Sequence, residues 1–474
     1  MTSNLLLVAV LGRIMGRGLL AEYLLVRRIV GWMQSSFVVC SALALPYYIS
    51  RETSDNEAVE YFWAALITDG LLVSVLAIIL LSQKSFSSYW LFGDRHLNEL
   101  ILPVAAWSVG YAFHGTTFGY HRGRLEMNAA NLLQIFNLAA FPFLTFGILA
   151  HSRSIVAMLA WSGALMVAFS IVYGFPRRVA IGSIKLAGIV HKARKLLRYG
   201  IPRIPSQFGF MSLTALGPII ASHYLPLSEV TYLLLGGTLF TAFSLSVMPL
   251  SVILLSKVSR MLSQDRGTEV CERLQLMLTA IFHLTVFATV LGLVFADVGL
   301  RVWLGPAFAG GGLTVRILLL GVPFYVFINA MGSTIDAASV KAHNARNMTI
   351  SLACFLLLVA TAVAGAPRHY LSEGIACAWS ATLAIFAFLT SRSARLLLGL
   401  RIPWPAALPG LYCAVALGVA GFLLRFFRHF QAGLPECLGA IALLSAAYVS
   451  LLHASGASWL RECRLMLFCD GQPS

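Results

Sequence analysis

The sequence predicts an all-α polytopic membrane protein, and three observations carry that prediction. Of the 474 residues, 59% are hydrophobic and only 11% are charged. A soluble domain carries about 25% charged residues, so an ordinary soluble enzyme, a disordered chain and a disulfide scaffold are excluded. The apolar residues fall into thirteen runs, most of which reach the roughly 20 residues that cross a bilayer as a helix. No alternation of strand period competes with them, which excludes a membrane β-barrel. Mean hydropathy is +0.82.

Residues 4–12 form an apolar stub that stops at Arg13. It lacks the basic region and cleavage site of a signal peptide. It is expected to be the end of a truncated first helix, stopping near Gly12. A loop over 13–28 follows, then run 29–50, bounded by Arg28 and Arg51. Run 61–82 follows an acidic loop, RETSDNEAVE, and contains Asp69, the one formally charged side chain inside any run. Runs 100–120, 129–150 and 154–175 complete the first half, ended by His121-Arg122, by a polar gap and by Pro176. In the second half, run 204–222 starts among Pro202, Arg203 and Pro205. Runs 230–256, 274–296, 317–335, 348–367 and 374–391 follow, then 402–424 and the short 437–452. No gap reaches 30 residues, so no large soluble domain is expected.

A weak duplication sits at an offset of 209: residues 11–51 align with 221–260, matching Tyr23 to Tyr232 and Arg51 to Arg260. The segments 121–131 and 341–351 agree roughly as well. The expected architecture is two six-helix bundles related by a pseudo-two-fold axis, with two additional helices. The expected domains are 1–175, a basic linker 176–198, a second bundle 199–391, an added pair at 402–452 and a tail at 453–474.

Net charge is +15. The cations lie between apolar runs, where they report topology. One set of alternate gaps holds 21 Lys plus Arg and the other 12, with Arg203 just inside a span. The richer set includes the linker and the C-terminus and is expected to be cytoplasmic. The loop 13–28, with four arginines on the opposite side, is the exception. The eight cysteines have no C-x-x-C spacing and no His cluster nearby, so no metal is expected. GPAFAGGG (305–312) lacks the Gly-Lys-Ser/Thr of a nucleotide loop. Neither a cofactor nor nucleic acid binding is expected.

Four segments carry a resemblance: LGRIMG…AEYLLV (11–26), LLRYGIPRIPSQ (196–207), LPLSEVTYLLL (225–235) and WLGPAFAGGGLTVRILLLG (303–321). In that order the chain resembles the polysaccharide-transporter branch of the multidrug/oligosaccharidyl-lipid/polysaccharide exporter superfamily. The family starts with a complete first helix, from which this sequence departs. The resemblance implies a flippase of the bacterial inner membrane. It would carry a polyprenyl-pyrophosphate-linked oligosaccharide for O-antigen, capsule or exopolysaccharide synthesis by alternating access. Membrane lipids, a polysaccharide polymerase and chain-length proteins would be its partners.

A pyrophosphate cannot cross bare hydrocarbon, so cations lining a hydrated cavity are the residues to seek. Arg27 and Arg28 are candidates, because a guanidinium fork fits phosphate oxygens; snorkelling to head groups is the alternative. They are about 100° apart on a helix, so only one faces inward. Arg203 either borders the cargo or anchors its helix. Arg51 and Arg260 are entry-face phosphate contacts or topology anchors. Asp69 is either an ion-coupling carboxylate or one hydrogen-bonded to a neighbouring helix. The competing functions are a cation-coupled multidrug exporter of the same fold, a membrane-bound glycosyltransferase or polymerase, and a non-transporting scaffold. No nucleotide site is present to drive transport, and no long catalytic loop favours an enzyme.

Overall fold

The structure, a computed structural model, describes residues 2–38, 40–52, 54–149, 154–176, 186–240, 266–339, 343–402, 404–428 and 434–454, with 258, 261 and 264. Among these, all regular structure is helical. Eight helices are long and apolar enough to cross a membrane, with a ninth if the bent pair Pro306–Leu319 and Val322–Asp336 is one span. Their outer faces are apolar: Leu71 and Ile78 are 63% and 66% exposed. A helix facing water would carry charge there, so these faces meet lipid. The chain divides into two compact units, 1–234 and 235–474.

In the first unit, α1 (Thr2–Phe37) is two helical pieces joined at Gly16, where φ is 77° and ψ −173°. The expected stub therefore does not stop near Gly12, and the expected loop 13–28 is largely helical. Glycine can adopt this left-handed φ, while the flanking Leu, Glu, Tyr and Arg residues favour helix. The expected single span 29–50 is also broken. After α1 come a π-turn at Cys40–Ala44 and α2 (Leu45–Ile49), which has Pro46 in its first turn. A second π-turn, Phe136–Ala140, joins α6 (Met127–Ile135) to α7 (Phe141–Leu149), just ahead of Pro142. Proline cannot donate to the carbonyl four residues back and its ring crowds that carbonyl, so the turn before it widens.

α5 (Ile101–Gly123) is the hub of this unit, packed by α3 (Asp55–Ser82), α8 (Ile155–Gly174), α1 and α2. Its polar and small residues face neighbouring helices rather than lipid. Gly163 of α8 lies so close that an added Cβ would meet the Ala106 carbonyl at 2.8 Å. Small residues let membrane helices approach in this way. Asn137 Nδ2 bonds His114 Nδ1 at 3.0 Å and Ser170 Oγ at 3.1 Å, so these polar groups join helices. The unit is completed by α4 (Lys84–Phe92), α9 (Leu186–Gly200), α10 (Ile204–Ser222) and the start of α11 (Leu227–Phe240).

α5 ends in a Schellman turn, with Glu126 N–H bonded to the His121 carbonyl at 2.9 Å and Leu125 N–H to that of Arg122 at 3.1 Å. The turn needs a left-handed residue, and Leu125 fills it at φ 60°. Leu125 is 79% exposed, so its side chain contributes little packing. Leu125→Gly should raise stability by about 1 kcal/mol, the usual left-handed penalty, read as a higher melting temperature of the purified protein.

The second unit is built on α12 (Gly267–Leu304). The expected run 317–335 divides into α13 (Gly312–Leu319) and α14 (Val322–Ala338), bent by 44° where Pro323 opens the second helix. α15 (His343–Gly365) and α16 (Leu371–Leu398) form an antiparallel pair. α17 (Trp404–Arg428) and α18 (Leu434–Ala454) pack on α12 through Phe287, Ala414, Leu444 and Tyr448. The Tyr448 hydroxyl donates to the His283 carbonyl at 3.0 Å. The repeat segment beyond residue 240, Arg260 and the linker residues 177–185 lie outside the described residues.

Candidate functional site

Two places have the chemistry an amphiphilic anion requires, one in each unit. In the first unit, Tyr23 and Arg27 are four residues apart on α1 and so share a face. Arg27 Nη1 donates to the Tyr23 hydroxyl at 3.0 Å and also reaches the Tyr111 hydroxyl on α5. Its guanidinium lies 5.4 Å from the Tyr23 ring centroid and 5.8 Å from that of Trp107. Trp107 is buried, and its Nε1–H has no acceptor among the described residues. A guanidinium and an unused indole donor inside an apolar protein together suit an incoming anionic oxygen. Arg28, one residue on, is half-buried. Farther along α1, the Trp32 indole donates to Ser212 Oγ of α10 at 2.8 Å and fixes this face of the helix.

Asp69 belongs to a separate network. It is completely buried and accepts three hydrogen bonds. They come from Cys40 N–H and Ser41 N–H at 3.1 Å each, and from the Ser41 hydroxyl at 2.6 Å. Those amides begin the helical segment that resumes after the break beyond Val38, so the segment itself supplies no acceptor. In hydrocarbon such donors cost several kcal/mol when unmet, and Asp69 meets them from across the unit. A carboxylate capping a broken helix is the hydrogen-bonded alternative for this residue.

Arg51 is exposed and stacks on Tyr47, 3.9 Å from its centroid. Tyr47 in turn stacks on Tyr199 of α9 at 4.7 Å. The backbone of Arg203 ends a short 3₁₀ turn, Ile201–Arg203, that links α9 to α10. Arg260 is not among the described residues. The acidic loop 51–60 is matched by bases: Lys192 Nζ lies 2.8 Å from Glu60 and 3.7 Å from Glu57. Arg124 pairs with Asp55. Burial and the adjacent Glu57 raise the Glu52 carboxyl above its ordinary value, opposed by Lys192 and Lys195.

In the second unit, α12, α14, α16 and the start of α17 line an open cleft of about 670 Å³, at which Phe324 and Phe388 are 39% and 68% exposed. Its walls are apolar, with Leu278, Phe282, Phe324, Phe327 and Phe388 among them. Arg395, Arg401 and Trp404 gather where α16 ends and α17 begins. The connecting strap is tied to α12 by Gln275 Nε2 donating to the Arg401 carbonyl at 3.0 Å. The cleft combines apolar walls with two exposed cations, Arg395 and Arg401, on its lining. Sequence reasoning missed this cleft because its lining comes from four separate helices. It also missed Tyr23, Trp107 and Tyr111, although the Tyr23/Arg27 spacing signals the first of them.

No family model matches the sequence, and no curated protein matches it. Among solved structures, the fold is similar to that of the lipid II flippase MurJ in an inward closed conformation. The TM-score is 0.75 at 14% identity, covering 95% of each chain. It is also similar to an inward-facing multidrug resistance MATE family transporter of the MOP superfamily. There the TM-score is 0.68 at 14% identity, covering 83% of this chain and 94% of that one. The chain therefore has the many-helix membrane-protein fold that these flippase and exporter structures share.

Proposed function

We propose that this protein is a flippase that moves a lipid-pyrophosphate-linked oligosaccharide repeat unit across a bacterial inner membrane by alternating access. The single observation that carries the reading is the cleft of the second unit, whose lining is mostly apolar and includes Arg395 and Arg401. A polyprenyl chain suits such walls through burial of apolar surface, and the cations suit a phosphate at its head. The half-buried Arg27, held among Tyr23, Tyr111 and Trp107, supports an anionic cargo. The linker and C-terminus are proposed to be cytoplasmic, as the distribution of lysine and arginine favours. The oligosaccharide is proposed to go to O-antigen, capsule or exopolysaccharide synthesis, alongside a polymerase and chain-length proteins.

Purified protein in vesicles, loaded with a labelled polyprenyl-pyrophosphate oligosaccharide, tests this. Transbilayer movement is expected, measured as label that becomes accessible to an impermeant enzyme. Movement of lipophilic cations without movement of the sugar lipid would instead identify an exporter. Transfer of sugar between lipids would identify an enzyme. Ala387→Asp places an unpaired carboxylate in the cleft wall, which costs about 1–3 kcal/mol in desolvation on cargo entry. Flipping should fall by about tenfold or more at normal membrane levels of the protein.

A further inference from the structure

The turn HRGRLEMNAAN holds a site that the transport reading does not use. His121 closes α5, is 8% exposed, and has both ring nitrogens occupied. Nδ1 is 2.6 Å from Glu126 Oε2 and Nε2 is 3.1 Å from the Gly174 carbonyl of α8. Both neighbours are acceptors. A neutral imidazole has one N–H, so it can serve only one of them, and the other contact becomes lone pair against lone pair. The arrangement is satisfied only when the His121–Glu126 pair holds one additional proton, as imidazolium with carboxylate or as imidazole with carboxylic acid. The protonated pair thereby joins the end of α5, the turn after it and the end of α8.

Two more features mark the place as a latch. The turn is held at the left-handed Leu125, a conformation that a leucine adopts only under restraint. Beside it opens a cavity of about 330 Å³, lined by Asp55, Tyr120, Ala129 and Tyr173 as well as the pair. Among the described residues, the titratable and charged groups facing the pair are Asp55 from α3, Tyr120 from α5, Arg124 from the turn and Tyr173 from α8. Arg124 bridges Asp55 and Glu126, lying 3.9 Å from the latter.

We propose that His121 and Glu126 form a proton-binding site that latches the α3/α5/α8 end of the first unit, shut when protonated and released as pH rises. Glu126 side-chain exposure is 46%, so protons reach the pair from water. Release breaks the link to Gly174, frees the strained turn and opens the adjoining cavity. In a transporter this makes the motion of that end depend on the pH of the solution bathing it.

The test uses the full chain freed of its native cysteines. Ala129, half-buried in the cavity wall, or the exposed Asn128 is replaced by cysteine. Each is labelled with a water-soluble maleimide across about pH 5 to 8, the range of histidine titration. The ratio of the two rates removes the intrinsic pH dependence of thiol reactivity. The ratio should rise severalfold with pH and follow a single-proton curve. Glu126→Gln gives the sharper outcome. A glutamine amide donates to Nδ1 while Nε2–H donates to Gly174, so no proton is needed and the ratio should stay low throughout. His121→Gln should abolish the pH response, and His191→Gln, on the exposed face of α9, should leave it intact. A ratio that does not change with pH, or one that keeps its full response in Glu126→Gln, overturns the proposal. Labelling needs no cargo, so this result stands apart from whether the protein moves a sugar lipid.

Discussion

Asp69→Ala should prevent the first unit from holding its fold. The substitution leaves Cys40 N–H, Ser41 N–H and the Ser41 hydroxyl without the acceptor each now has. A buried unsatisfied donor costs about 1–3 kcal/mol, so three of them total about 3 kcal/mol or more. Against a total stability of about 5–15 kcal/mol, that is a large fraction. The expected readout is loss of monodisperse protein in detergent and a strongly lowered melting temperature. Asp69→Asn keeps one acceptor oxygen and should cost about half as much. Native melting of the alanine variant would show that Asp69 is not the brace of this break. Asp69→Asn also separates bracing from ion coupling. If the asparagine variant folds but loses the pH dependence of transport, Asp69 is the coupling group. If transport keeps its pH dependence, it is not.

Arg27→Ala should reduce flipping by about 10- to 100-fold, the equivalent of one or two charge-assisted hydrogen bonds to a phosphate. The half-buried guanidinium lies among Tyr23, Tyr111 and Trp107, where attraction to an anion is screened less than in open water. Arg27→Lys should restore part of the rate, because a point charge replaces the planar fork. Tyr23→Phe controls for packing: it removes one hydroxyl and keeps the cation, and should cost much less. Arg28→Ala should be close to native. Complementation of a flippase-deficient strain by Arg27→Ala at normal protein levels would sink the cargo role of Arg27.

Much of the fold was legible because hydrocarbon tolerates few solutions. Long apolar runs must be helices there, since every backbone group needs an internal partner. The run at 204–222 coincides with α10, and 154–175 with α8 to within a residue at each end. The breaks were less legible. Gly16, Pro46 and Pro142 were visible as residues, but the sequence does not say whether such a residue ends, kinks or merely widens a helix. That depends on who satisfies the freed amides, and at Cys40 and Ser41 the answer is Asp69, 28 residues away from Ser41. The arginines at 13–28 looked like an exception to loop topology because that segment was expected to be a loop. As part of a helix, Arg27 is placed by its neighbours on α1 and α5.

The candidate sites divide in the same way. The sequence by itself determined the class of chain, most of its helical runs and the one charge inside a run, Asp69, and it singled out Arg27 and Arg28 as candidates at the edge of another. Only the tertiary structure decided what surrounds those charges, because packing brings to them residues distant in sequence. Backbone amides and a serine hydroxyl surround Asp69, phenols and an indole surround Arg27, and a carboxylate and a carbonyl flank His121. The apolar cleft of the second unit was likewise decided by packing alone. Its walls are ordinary leucines and phenylalanines, and nothing in one helix distinguishes those that line a cleft from those that face lipid.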